Sequence, residues 1–350
     1  MRYSNFLFPE SRDPTRDGDI IHQVLDEARL TEQLGFDTIW LSEHHFDGNC
    51  AYVDPMAFGA ALAATTSRIR LGYAVAQTSL HHPIRLAEQF ALIDQISRGR
   101  LIVGMGRGTT YNVYEYQGYG IDHAESQARF EEASDILLQA WTSETGFRHK
   151  GHFWDLDVPV LRPRPYTRPH PFMIRAAAGE ASLIELGAAG KPFLMNLQTN
   201  DTTHRRIAAW RNAARSNGIA EPAIETALDQ SWVWRNVFVA DTDAEAERTG
   251  PAAFRAMTEH RSAMRRRVQQ EQGITIAHAA PAAHGDPSLG LIYGSPSTVA
   301  EQIAAVAATG VGGVILTFRL GPLPQAETIR SLTLFAEQVA PMVGGMRIAA

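Results

Sequence analysis

The stretch Ser42-Glu43-His44-His45-Phe46 places a carboxylate beside two imidazoles. An imidazole, with an unperturbed pKa of ~6.5, can take or give a proton near neutrality. Adjacent side chains on an extended chain face opposite ways, so only one of the two histidines enters a given site. That disfavours a paired-histidine metal site, and no His-Glu-x-x-His helix accompanies the pair. His44 is therefore a candidate general base, and a hydrogen-bonded packing histidine is the alternative of equal weight.

Two further segments have the chemistry to hold an anion. Gly104-Met105-Gly106-Arg107-Gly108-Thr109-Thr110 is not a dinucleotide fingerprint, because Thr109 stands where the third glycine belongs. Glycines flanking one arginine do permit close backbone approach to a flat or phosphorylated ligand, with Arg107 as anion partner; a plain tight turn is the alternative. Ala176-Ala177-Ala178 runs into Gly179-Glu180-Ala181-Ser182. Small residues entering a helix N-terminus make a phosphate seat out of free N–H groups and the helix dipole. Ordinary N-capping by Ser182 explains the same pattern.

These segments need a scaffold. Residues 19–34 set Ile21, Val24, Leu25, Ala28, Thr31 and Leu34 on one helical face before Gly35 and the β-rich run Phe36 to Leu41. The same handover recurs at Gly99, Gly190 and Gly310. Strands are predicted near 3–8, 38–44, 69–76, 101–105, 172–177, 192–197, 229–239 and 313–319, with helices between them and a last helix over 325–340. Eight strands alternating with helices imply parallel pairing, and that number favours a closed (β/α)8 TIM barrel. No Pro/Ser-rich linker divides the chain, so 1–350 reads as a single domain; a two-domain nucleotide-binding protein is the alternative. Insertions are expected near 109–122, 146–171 (with Pro159, Pro163, Pro165 and Pro171) and 272–296, the last as a long loop.

Composition narrows the function classes. With 350 residues and 45% hydrophobic content, a core is affordable and global disorder is excluded. A net charge of −6 argues against nucleic-acid binding. Cys50 is the single cysteine, which excludes an internal disulfide and a cysteine-based metal cluster. No run approaches the ~20 apolar residues of a membrane span, and Met1 to Phe6 lack the apolar region of a signal peptide. A cytoplasmic protein without membrane attachment is expected.

Taken in order, the segments resemble the bacterial luciferase-like, flavin-dependent monooxygenases, among them the luciferase alpha chain. The resemblance rests on Leu34 to Phe46, on His82-Pro83-Ile84-Arg85, on Leu92 to Arg100 with its Ser-Arg-Gly-Arg block, and on the Gly104–Gly108 turn. Weaker features are Gly294-Ser295-Pro296 and Leu334 to Val339 before Pro341. It is strongest over residues 3–112 and thinnest over 200–290. It implies a luciferase-like barrel using reduced FMN and O2 to oxygenate a small organic substrate such as an aldehyde, ketone or organosulfur compound. The chain shows no nicotinamide fingerprint, so reduced flavin is expected from a separate reductase.

By the same resemblance His44 is the base. Arg107 and the Ala178–Ser182 stretch, with Gly179 and Glu180, hold the FMN phosphate beside Ala176 and Ala177. The Ala74–Val75 backbone lies on the isoalloxazine ring across a cis peptide bond, and Tyr111 is the aromatic residue after the turn. The alpha chain's reactive cysteine is replaced by Gly106. A homodimer through helices at 54–67 and 84–98 is implied as well. Two other functions stand beside this one: F420-dependent hydride transfer on the same barrel, and flavin binding without catalysis.

Overall fold

Four helices give way to strands at a glycine. The computed structural model, which describes residues 1–109, 111–274 and 286–346, shows this at all four expected glycines. Gly35, Gly99, Gly190 and Gly310 have φ of 83°, 85°, 62° and 82°, the left-handed region that ends a helix without a Cβ penalty.

The first half runs β1 (Arg2–Leu7), α1 (Asp17–Gln33), β2 (Thr38–Leu41), α2 (Pro55–Thr65), β3 (Arg70–Tyr73), β4 (Ala76–Gln77) and α3 (Pro83–Ser97). It continues through β5 (Leu101–Gly106), α4 (Val113–Gly118), α5 (Ser126–Thr142) and a hairpin, β6 (Phe147–Lys150) and β7 (Asp155–Val158). The second half is β8 (Phe172–Ala177), α6 (Glu180–Ala188), β9 (Phe193–Met195), α7 (Asn200–Ser216), α8 (Glu221–Asp229) and β10 (Trp232–Val239). Then follow α9 (Asp243–Glu271), β11 (Leu291–Gly294), α10 (Pro296–Ala307), β12 (Gly313–Thr317) and α11 (Gln325–Leu334).

The strands β1, β2, β3 with β4, β5, β8, β9, β10 and β12 pair in parallel and close a TIM barrel. Phe6, Trp40, Ile102, Ile174, Leu194, Trp232 and Ile315 fill its interior, and Phe8, Ala74, Val75, Ala176 and Trp234 pack onto that cluster at the mouth. Among the described residues, no helix is long and apolar enough to cross a membrane.

Four expectations need correction. The third strand is interrupted: β3 and β4 both pair with β5 but are separated by Ala74–Val75, whose peptide bond is cis. The stretch 272–296 is not one loop, because Leu291–Gly294 pairs with β10. Asn236 pairs with Leu291 on one edge and Thr317 on the other, so β11 occupies the edge that the short β9 leaves free. The rest of that expected loop, 275–285, lies outside the described residues. The last helix breaks at Leu334 into a π-turn over Phe335–Val339. The strand expected from 229 starts at Trp232, because α8 holds Asp229.

The insertion at 146–171 is the β6–β7 hairpin with its following turns. Glu132 of α5 anchors it, accepting the N–H groups of His152, Phe153 and Trp154 and a bond from His149 Nε2 at 3.0 Å.

Candidate active site

The parity of β2 decides what its end can do. Trp40 points into the barrel, so His44 follows it to the mouth while Glu43 and His45 point to the surrounding layer. The expected separation of the two histidines therefore holds. His44 Nδ1 lies 3.1 Å from Glu115 Oε1, and its ring meets Phe8 edge-on at 6.0 Å. The His44 side chain keeps 31% exposure, whereas that of Glu115 has none.

Glu115, on α4, is the anchor. Its Oε1 also accepts the His45 N–H at 3.0 Å, and its Oε2 accepts Gln77 Nε2 at 3.0 Å. With Glu115 as acceptor, His44 carries its proton on Nδ1, and Nε2 is the nitrogen with a free lone pair. Burial alone lowers the His44 pKa, but the hydrogen bond and charge of Glu115 outweigh it and leave the pKa raised.

Behind this pair lies a second buried set. Glu43 Oε1 accepts from His45 Nε2 at 2.9 Å and from His81 Nε2 at 2.7 Å, and Oε2 accepts the Gln77 N–H at 2.6 Å. Burial pushes the Glu43 carboxyl up, yet the two histidines reverse that and hold it at about 2. Gln77 Nε2 reaches the Glu43 carbonyl as well, at 2.8 Å, and so ties β2, β4 and α4 together.

One side of the mouth carries almost no side chain. Ala74, Val75, Gly104, Gly106 and Ala176 form it. A Cβ at Gly104 would strike the Tyr73 carbonyl, and one at Gly106 would lie 2.7 Å from Val75 Cγ2. Glycine at 106 thus leaves room for Val75.

Gly179 is the N-cap of α6, with nothing within 4 Å of where a Cβ would stand. Capping by Ser182 is corrected: its Oγ donates to the Gly179 carbonyl at 2.9 Å from inside the first turn. The N–H groups of Glu180, Ala181 and Ser182 have no helical partner, as at any helix start. Ala177 is buried and faces away from the mouth, whereas Ala178, Gly179 and Glu180 are exposed. Arg107 is exposed too, while its carbonyl accepts from Ser79 Oγ at 2.6 Å and from the Tyr116 hydroxyl. Tyr111 is drawn to α9 instead, under the Arg265 guanidinium at 5.2 Å and with its carbonyl bound by Gln269 Nε2 at 3.1 Å.

Several residues of the site went unread in the sequence: Glu115, Gln77, His81, Arg206 and the α9 arginines. Arg206 bonds Asn196 Oδ1 at 3.2 Å; burial and Arg205 lower its pKa, opposed by nearby Glu180. It is a second cation at the start of α6. The readable signal for α9 was the spacing Arg261-x-x-x-Arg265, one helical face.

Residues 1–313 match the family model of luciferase-like monooxygenases. The chain belongs to that family. It is 28% identical to limonene 1,2-monooxygenase of Rhodococcus erythropolis over 352 residues, 98% of this chain and 87% of the relative. With the alkanal monooxygenase alpha chain of Photorhabdus luminescens it shares 32% identity over 221 residues, 62% and 60% of the two chains. An alignment to an uncharacterized Sinorhizobium fredii protein, 31% identical over 184 residues, spans only 52% of each.

Among solved structures, a monooxygenase from Streptomyces bottropensis superposes with a TM-score of 0.82 at 26% identity, covering 97% and 99% of the chains. The oxygenating constituent of a Pseudomonas putida 3,6-diketocamphane monooxygenase, in complex with FMN, gives 0.75 at 22% over 99% and 100%. An F420-dependent secondary alcohol dehydrogenase gives 0.73 at 18% over 98% of each. At these last two identities the likeness is one of fold alone.

Proposed function

We propose that this protein is the oxygenase half of a two-component system, oxygenating a small organic molecule with reduced FMN and O2 after a separate reductase delivers the flavin. The observation that carries the reading is His44, fixed by Glu115 with a free Nε2, beside a stretch of the mouth running from β3 to β8 that is nearly stripped of side chains. Reduced FMN, when bound, supplies the electrons that activate O2. The residues present fit that group: the floor of Ala74, Val75, Gly106 and Ala176 leaves room for a flat ring, and a Cβ at 106 would disturb it. The α6 N-terminus with Arg107 and Arg206 suits its phosphate.

In this reading His44 Nε2 takes a proton from substrate or returns one. Glu115 stabilises the imidazolium that results. Phe8 and Trp234 at the mouth help keep water from the reacting groups, which an oxygen-activating flavin needs. The fold extends the proposal to a homodimer through α2 and α3. The exposed Ala57, Ala61 and Ala64 form a shallow face on α2, and Leu92 and Ile96 are exposed on α3.

The test is a direct comparison of FMN and F420 binding, followed by mixing of the reduced FMN complex with aerated buffer while flavin absorbance is recorded. FMN binding with reoxidation slower than that of free reduced FMN supports the reading. Preferential F420 binding would replace it with hydride transfer. Binding of oxidised FMN without any altered reoxidation would leave a flavin-binding protein. His44→Ala is expected to keep FMN affinity and slow substrate turnover by ~10²–10⁴-fold.

A further inference from the structure

We propose that the substrate carries a carboxylate, seated by Arg261 of α9 on the side of the mouth opposite the phosphate seat. This rests on the flavin reading for the identity of the reaction, and on α9 for the substrate class.

The helix α9 has 29 residues, so it extends about 43 Å, enough to cross a barrel end. Its contacts show that it does. Met257 packs on Gly321 after β12, and the Ala256 carbonyl accepts from Arg12 Nη2 at 3.3 Å after β1. Met264 and Arg267 border Gly48 after β2, and Gln269 binds Tyr111 after β5. Four strand-end loops thus lie under one helix.

From this helix Arg261 reaches down to the mouth. Its guanidinium stands 4.2 Å over the Phe8 ring, the same ring that meets His44, and its charge acts on His44. Nε donates to Glu10 Oε2 at 3.0 Å, but Nη2 is buried without an acceptor. Glu10 is shared between two guanidinium groups, with Oε2 on Arg261 and Oε1 on Arg12 at 3.1 Å. Other carboxylates near this cluster are engaged too: Asp47 accepts the Asn49 N–H at 2.9 Å, Asp17 accepts from Ser11 Oγ at 2.5 Å, and Glu115 holds His44. Arg265 adds a third guanidinium, with no ion pair among the described residues. The carboxylates around this cluster are already engaged, and the buried Nη2 of Arg261 is left to donate. A buried guanidinium donor without an acceptor is costly, and an arriving carboxylate removes that cost.

Position separates this anion site from the flavin phosphate. Around the barrel β1 and β8 are four steps apart in either direction, so the Arg261 side and the α6 side are diametrically opposed. His44, just after β2, lies on the Arg261 side. The aromatic wall there, with Phe6 5.0 Å from Trp234 and 6.5 Å from Phe8, matches a planar apolar body attached to the carboxylate.

The experiment measures binding of benzoate and of its neutral isostere benzamide to the full chain by tryptophan fluorescence, with and without FMN. A second pair, hexanoate and hexanamide, controls for body shape. The expected result is a carboxylate preference of roughly ten- to hundredfold, the worth of charge-assisted hydrogen bonds. Arg261→Gln should abolish that preference while leaving the amide dissociation constant and the FMN affinity unchanged. Equal affinity for acid and amide, no binding of either pair at millimolar concentration, or a preference that survives in a folded Arg261→Gln protein overturns the proposal. The wild-type comparison stands even if the variant does not fold. Loss of FMN binding with an intact carboxylate preference would sink the flavin reading and spare this one.

Discussion

Glu115 Oε1 lies 3.1 Å from His44 Nδ1, and that single contact fixes both the tautomer and the basicity of the histidine. A base must be unprotonated to work, so a raised pKa means that activity climbs with pH through a value above 6.5. Glu115→Gln keeps an acceptor oxygen and removes the charge. The acidic limb of kcat/KM should then move to lower pH, as expected when a neighbouring opposite charge is removed. A limb that stays in place would mean that another group sets the profile.

The proposed phosphate seat makes a different prediction. Arg107→Ala and Arg206→Ala should each weaken FMN by roughly tenfold and leave riboflavin nearly unchanged, since only FMN offers a phosphate to pair. Fluorescence titration with the two flavins decides it. Equal loss of both ligands for one variant would make that arginine structural.

Much of this arrangement was legible because it follows from local rules. The four glycines that end helices do so through positive φ, which no other residue adopts as cheaply. The alternation of side chains that continues past β2 separates His44 from His45. What was not legible depends on contacts between distant segments. Glu115 sits in the Tyr- and Gly-rich insertion expected at 109–122, yet it is fully buried because the segment after β2 and β4 deliver three donors to it. Arg261 looked like one more charge on a polar helix. Only the path of α9 across four loops brings it over Phe8.

Glu43 should support the fold more than the chemistry. Its folded carboxyl is held at about 2, so its contribution is complete above the ordinary value of 4.5 and is lost as pH falls toward 2. His81 works in the opposite sense: its pKa is raised, so its share is complete below 6.5 and lost as pH rises through the folded value. Glu43→Gln is therefore expected to cost ~3 kcal/mol near pH 6, as when one partner of a buried pair is removed. The gap between variant and wild type in urea titrations should narrow below pH 4.5. A constant gap down to pH 3 would show that the carboxylate charge is not what stabilises.

Gly106 offers the sharpest check on the floor of the mouth. The resemblance to the luciferase alpha chain puts a cysteine there, and a Cβ at this position would lie 2.7 Å from Val75 Cγ2. Valine is branched at Cβ and has few rotamers to escape into, so the strain must pass to the Ala74–Val75 backbone. Gly106→Ala should then lower FMN affinity by roughly tenfold, an overpacking cost of ~1–3 kcal/mol appearing partly as lost binding. The double variant Gly106→Ala with Val75→Ala removes the opposing methyl groups and should recover most of that loss. If Gly106→Ala binds FMN as the wild type does, Val75 does not hold the floor. If the double variant fails to recover binding, glycine is needed there for the ligand itself and not for its neighbour.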